Sequence, residues 1–261
     1  MGTRERRQRD FAQREQLILD AARELILRDG LLNLQMSRLA EACDHAVGTL
    51  YQHFAKKEDL LVALNTRNCL SRVELFERAA AWPGPARERL LAVALADTLL
   101  LDRSPELFRL QQFVFTEVVW GAASPERRSQ ALAAGAPIEA LVSNIVSDAV
   151  ASGELPADLD MGPLELALGT WTLCMGMHDL VHAEGVLEGH DVRQPYRLLF
   201  KHLNHLLNGY GWQPLMAPVD DAAVAGQIER LCREVFGEAP PCCAATAVAN
   251  PDLTLALESS V

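Results

Sequence analysis

Apolar residues recur at helical spacing along most of this chain. Ile18, Ala21, Ala22, Leu25 and Ile26 fall at i, i+3, i+4, i+7 and i+8, and predict a helix from about Gln13 to Arg28. Asp29-Gly30 ends it, with Gly30 placed as a C-terminal cap. A short helix is expected at about Met36–Cys43, with Leu39, Ala40 and Cys43 inward. Asp44-His45-Ala46 reads as a turn, and a second short helix covers Val47–His53, with Leu50 and Phe54 inward. A long helix follows from about Glu58 to Ala80, then a break at Trp82-Pro83-Gly84-Pro85. Further helices are predicted near Ala86–Leu101, Pro105–Trp120 and Pro125–Ser152, the last with Gly135-Ala136-Pro137 as a candidate interruption. The pattern continues with helices at about Pro163–Glu184, Pro195–Asn208 and Asp220–Phe236, separated by loops at Gly185–Gln194 and Gly209–Pro218. No stretch shows the alternation and hairpin turns of strands, so the expected fold class is all-α.

The length of 261 residues suits a small domain plus a larger one. With 49% hydrophobic and 23% charged residues, the chain has the means to fill a core. No uncharged run amounts to the roughly 20 apolar residues of a membrane span. The charged start, Met-Gly-Thr-Arg-Glu-Arg-Arg-Gln-Arg, has no apolar stretch behind it, so a cytoplasmic protein without membrane association is expected. Cys43, Cys69, Cys174, Cys232, Cys242 and Cys243 lack a framework spacing and read as reduced thiols. Charge is uneven: residues 1–72 carry 12 basic and 10 acidic side chains, the remainder 12 and 25. A polyanion is therefore approachable only through the N-terminal quarter. No Gly-rich phosphate loop, nucleophile elbow or paired carboxylates point to an enzyme, and no cofactor is predicted.

Two short helices joined by a three-residue turn, with longer helices on either side, make a helix-turn-helix arrangement. Its second helix can present an exposed face to the DNA major groove. Gly48 sits early in that helix although Gly is a poor helix former, which suits close backbone approach. Thr49, Tyr51, Gln52 and His53 are expected to face outward, and all can hydrogen-bond. Lys56 and Lys57 stand at a helix start, where the partial positive charge makes lysines locally unfavourable. A bound phosphate would account for them; lysines that merely solvate a loop are the alternative.

Five blocks carry a resemblance. They are Ile18-Leu19-Asp20-Ala21-Ala22, then Gly30, then Leu39-Ala40-Glu41-Ala42, then Gly48-Thr49-Leu50-Tyr51-Gln52-His53-Phe54, then Lys57-Glu58-Asp59-Leu60-Leu61. In order and spacing they resemble the DNA-binding domain of TetR/AcrR-type transcriptional regulators, over about residues 11–71. The resemblance implies that Val47–His53 is the recognition helix. It would place Thr49, Tyr51, His53 and Lys57 mainly on phosphates, let Gly48 admit the backbone, and bring Val47 and Gln52 nearest base edges. Ser37 and Arg38 on the preceding helix would add a phosphate or base contact. The chain departs from the family pattern in the turn, where a usual glycine is Asp44 and a usual serine is Ala46; Asn33 is the candidate cap for the first short helix.

The remaining chain resembles the family in character only. The implied organisation is a basic flexible arm over 1–10, the helix-turn-helix domain over 11–71, a helical effector-binding and dimerisation domain over 72–237, and a poorly ordered tail over 238–261. The arm carries Arg4, Arg6, Arg7 and Arg9, and reads either as a minor-groove contact or as a solubilising tail. The helices at 163–184 and 195–208 look like the pair that forms a dimer interface in the family. Phe113, Trp120, Trp171, Met175 and His178 are candidates for an apolar effector pocket, against ordinary core packing. Cys174, His178 and His182 lie four apart on one helix, which leaves a metal- or thiol-responsive sensor as the alternative function. A straight helix separates its i and i+8 positions by about 12 Å, so one ion cannot take all three. The leading expectation is a homodimeric, ligand-responsive repressor, released from a near-palindromic operator by a small hydrophobic effector.

Overall fold

The computed structural model describes residues 3–240. The tail expected over 238–261 lies, from residue 241 onward, outside the described residues, as do Cys242 and Cys243. Among the described residues the elements are helical and no strand occurs, as expected. No helix among them is long and apolar enough to cross a membrane.

The N-terminal elements are α1 (Thr3–Asp29), a 3₁₀ turn at Leu31–Asn33, α2 (Met36–Ala42), α3 (Val47–His53) and α4 (Lys57–Ala81). The first corrects an expectation, because residues 3–10 continue α1 instead of forming a flexible arm. Their lack of apolar periodicity hides good helix formers (Arg, Gln, Glu), which extend a helix once the buried face from Ile18 to Ile26 has nucleated it. Gly30 ends α1 with φ +86° and its N–H on the Ile26 carbonyl at 2.9 Å. Asn33 does not cap α2; its Nδ2 donates to the Asp29 carbonyl at 2.7 Å and so serves the end of α1.

Next come α5 (Ala86–Arg103), α6 (Pro105–Val114), a π-helical segment at Glu117–Gly121 and α7 (Pro125–Ser152). The helix expected over 105–120 is thus divided, with Phe115 and Thr116 between its parts. In α7 the expected interruption is absent, and Pro137 lies within a continuous helix. The chain finishes with α8 (Pro163–His182), α9 (Val186–Gly189), α10 (Pro195–Gly209), α11 (Asp221–Leu231) and a π-helical turn at Cys232–Phe236. Asp220 caps α11, accepting from the Ala223 N–H at 2.8 Å.

Packing groups these elements into two compact units. The first takes residues up to Ala81 together with Arg103–Ile145; the second takes Trp82–Asp102 and residues from Val146 onward. This grouping cuts across the chain-order division at 71/72, because Leu110, Val114, Val119 and Ala123 are inserted into the core built by α1 to α4. In the second unit Leu199, Phe200, Leu203 and Leu207 of α10 are buried, as are Leu166, Ala167 and Cys174 of α8. Helices α8 and α10 pack together. Gly169 permits it, since a Cβ there would stand 2.8 Å from the Tyr210 hydroxyl.

Candidate nucleic-acid interface

The first unit's core fixes which face of α3 is free. Leu50 and Phe54 are fully buried against Ile18, Ala22 and Ile26 of α1, Leu39 and Ala40 of α2, and Leu60, Leu61 and Leu64 of α4. The turn between α2 and α3 is closed by the His45 N–H on the Ala40 carbonyl at 2.9 Å. Asp44 takes the left-handed conformation there (φ +52°), which Asp tolerates better than most side chains. The rest of α3 then faces solvent. Val47, Gly48, Tyr51 and Gln52 are exposed, Tyr51 to 49%, and Thr49 is half-buried. A Cβ on Gly48 would meet nothing within 4 Å, so the backbone is open to approach at that point.

Two of the flanking candidates lie open on α2, and one of them is engaged. Ser37 and Arg38 are exposed on α2. Arg38 donates to Asp29 Oδ2 at 2.8 Å, beside Arg28. The hydrogen bond from Arg28, with the charges of Arg28 and Arg38, holds the Asp29 carboxyl below its ordinary pKa. Lys57 is half-buried at the first position of α4, while Lys56 Nζ donates to the Ala122 carbonyl at 2.8 Å.

His53 corrects the sequence expectation. Its side chain is buried, not presented to DNA, and its ring stacks on Phe11 with centroids 3.9 Å apart. Glu15 Oε2 lies 3.7 Å from Nδ1. Burial pushes the His53 pKa below its ordinary value, with the Glu15 charge opposing the shift, so the ring is neutral in the folded state at neutral pH. A depressed histidine pKa means that the unfolded chain takes up a proton more readily than the folded one. Stability is then lost as pH falls through about 6.5, the unfolded value. The melting temperature should drop more between pH 8 and pH 5 for the parent than for His53→Phe; equal slopes would show that another group titrates.

The pocket candidates are not gathered in one unit. Phe113 and Trp120 belong to the first unit and pack against the helix-turn-helix core, because α6 and the π segment fold onto it. Trp171, Met175 and His178 belong to the second. Trp171 is 45% exposed and shares one face of α8 with exposed Leu164 and Leu168. Met175 is half-buried, and His178 is fully buried with Nδ1 3.1 Å from the Tyr196 hydroxyl. Among the described residues, no three His, Cys, Asp or Glu side chains are arranged to hold a metal ion, Cys174, His178 and His182 included.

Known proteins place this geometry. Residues 18–64 match the family model described as bacterial regulatory proteins, tetR family. This span holds the turn, α3 and the first turns of α4, with the buried and exposed faces just described. Over these residues the chain is similar to TetR-family transcriptional regulators. Over 172 residues this chain is 26% identical to the fatty acid metabolism regulator protein of Bacillus subtilis, covering 63% of its own length and 86% of that protein. It is 33% identical over 108 residues to the HTH-type transcriptional repressor KstR of Mycolicibacterium smegmatis, covering 40% of itself and 52% of that repressor. Its fold resembles the crystal structure of a TetR/AcrR-family transcriptional regulator from Thermobifida fusca, with a TM-score of 0.55, 23% identity and coverage of 76% and 98% of the two chains.

Sequence reasoning missed Phe11, Glu15 and Arg127, which surround the end of α3. Arg127 meets Glu15 and His53 across 112 and 74 residues of sequence. No local pattern marks an arginine in the first turn of α7 as different from other surface arginines.

Proposed function

We propose that this chain represses transcription as a homodimer, binding a near-palindromic operator and leaving it when a small hydrophobic effector binds. The observation that carries the DNA-binding part is the division of α3: Leu50 and Phe54 are completely buried while Val47, Gly48, Tyr51 and Gln52 stand open. Gln52 suits a bidentate pair with adenine and Val47 the thymine methyl. Thr49, Tyr51 and Lys57 suit phosphates, with Ser37 and Arg38 adding contacts from α2 once Arg38 turns from Asp29. His53 has no place in that set.

Dimerisation is supported by the stripe of Leu164, Leu168 and Trp171 on α8, three exposed large apolar residues at spacings of four and three. Two recognition helices would then read half-sites about one helical turn, ~34 Å, apart. The relative named for fatty acid metabolism supports a hydrophobic effector, and long-chain fatty acids are the first probes.

Selection of duplexes from a random pool by the full-length protein tests the proposal. The enriched sequences should show two-fold symmetry, and a fatty acid should release them; asymmetric sequences bound by a monomer would refute it. Lys57→Ala should weaken selected and scrambled duplexes alike. It should also flatten the dependence of log affinity on log salt by about one unit for each lost phosphate contact. A loss confined to the selected duplex would remove Lys57 from the phosphate set.

A further inference from the structure

The last carbonyls of a helix find no partner within it and carry its negative end. At the end of α3, Arg127 supplies that partner: its Nη2 donates to the His53 carbonyl at 2.9 Å. The same guanidinium forks onto Glu15 of α1 at 2.8 and 3.0 Å and lies 4.9 Å from the centroid of the Phe54 ring. One side chain at the start of α7 thus holds α3, the residue that anchors it in the core, and α1. Neighbours of Arg127 grip the chain just beyond. The Ser124 N–H donates to Asp59 Oδ1 at 2.7 Å, and Lys56 donates to the Ala122 carbonyl at 2.8 Å.

We infer that Arg127 is a positioning residue for DNA recognition: it sets the angle of α3 and thereby the discrimination between DNA sequences. This role rests on the DNA-binding proposal, because Arg127 acts on the surface that would meet DNA. The physical basis is a difference in geometric tolerance. Bidentate pairing with base edges requires an accurately held helix. Phosphate contacts are dominated by charge and survive small rotations. Loosening Arg127 therefore costs specific binding more than general binding.

The test uses the full-length protein, a duplex selected by the parent from a random pool, and a scrambled duplex of equal length. For Arg127→Ala, the ratio of selected to scrambled affinity should fall at least about tenfold, within the range by which specific and non-specific binding differ. Affinity for the scrambled duplex and its salt slope should stay at parental values. Arg127→Lys keeps the charge and the stem over Phe54 but loses the fork, so its ratio should lie between the two. It decides the matter if the alanine variant does not fold. A folded variant with the parental ratio overturns the inference, as does one that weakens both duplexes equally. If the parent enriches no duplex, the DNA-binding proposal falls and this inference with it. If the parent selects a duplex that Tyr51→Ala does not bind, while the Arg127 variants discriminate normally, only the inference falls.

Discussion

Tyr51→Ala is expected to abolish operator binding while leaving the fold intact. Tyr51 is 49% exposed on α3, one position from the fully buried Leu50, and its ring takes no part in the first unit's core. Truncating such a residue changes stability by no more than about 0.5 kcal/mol. On DNA the expected loss is larger, because the proposed homodimer would lose the contact twice. At roughly 1.5 kcal/mol for each, the affinity falls by about a hundredfold or more. Gel-shift titration on the selected duplex, paired with thermal melting, separates the effects. Parental affinity in the variant would place DNA on another surface, and a collapsed melting temperature would mean that Tyr51 supports the core.

Arg87→Ala should destabilise the second unit by about 3 kcal/mol or more, through lost hydrogen bonds to a charged group and the buried acceptors they leave. Arg87 is 1% exposed. Its guanidinium donates to the Trp212 carbonyl at 2.7 Å, and to the carbonyl and Oδ1 of Asn204 at 3.1 and 3.0 Å. Asn204 in turn donates to the Phe200 carbonyl and to Gln227 Oε1, so α5, α10, α11 and the loop after α10 meet at one polar cluster. Burial lowers the Arg87 pKa to about 10, which still leaves it charged at neutral pH. Its removal strands two backbone carbonyls and an amide oxygen away from water. Urea unfolding followed by tryptophan fluorescence, which Trp212 reports from within the cluster, should show the loss. An unchanged midpoint would mean that water or a shifted neighbour satisfies those acceptors.

These two residues differ in how they are read. Tyr51 follows from periodicity: at 3.6 residues per turn it lies about 100° from Leu50, away from the buried face. Arg87 gives no such sign, since an arginine in the first turn of an amphipathic helix ordinarily faces water. His53 falls between. It lies about 60° from Leu50, on the flank of the buried face, where periodicity permits either exposure. Phe11 resolves it by stacking on the ring, in a stretch of α1 close to the turns that the sequence presents as a charged arm. The pocket candidates divide between the two units for a related reason. Phe113 and Trp120 are apolar at suitable spacing, but spacing does not say which core a helix joins, and α6 joins that of α1 to α4.

By itself the sequence determined the all-helical architecture, the turn between α2 and α3, and the exposed face that carries Val47, Gly48, Tyr51 and Gln52. Each depends on residues within one or two turns of each other, where helix period and capping act. Tertiary structure decided the inward course of His53, the clamp by Arg127 and the union of α6 with the N-terminal helices. Those depend on contacts across dozens of residues, formed only when packing brings distant helices together, and local preference carries no record of such partners.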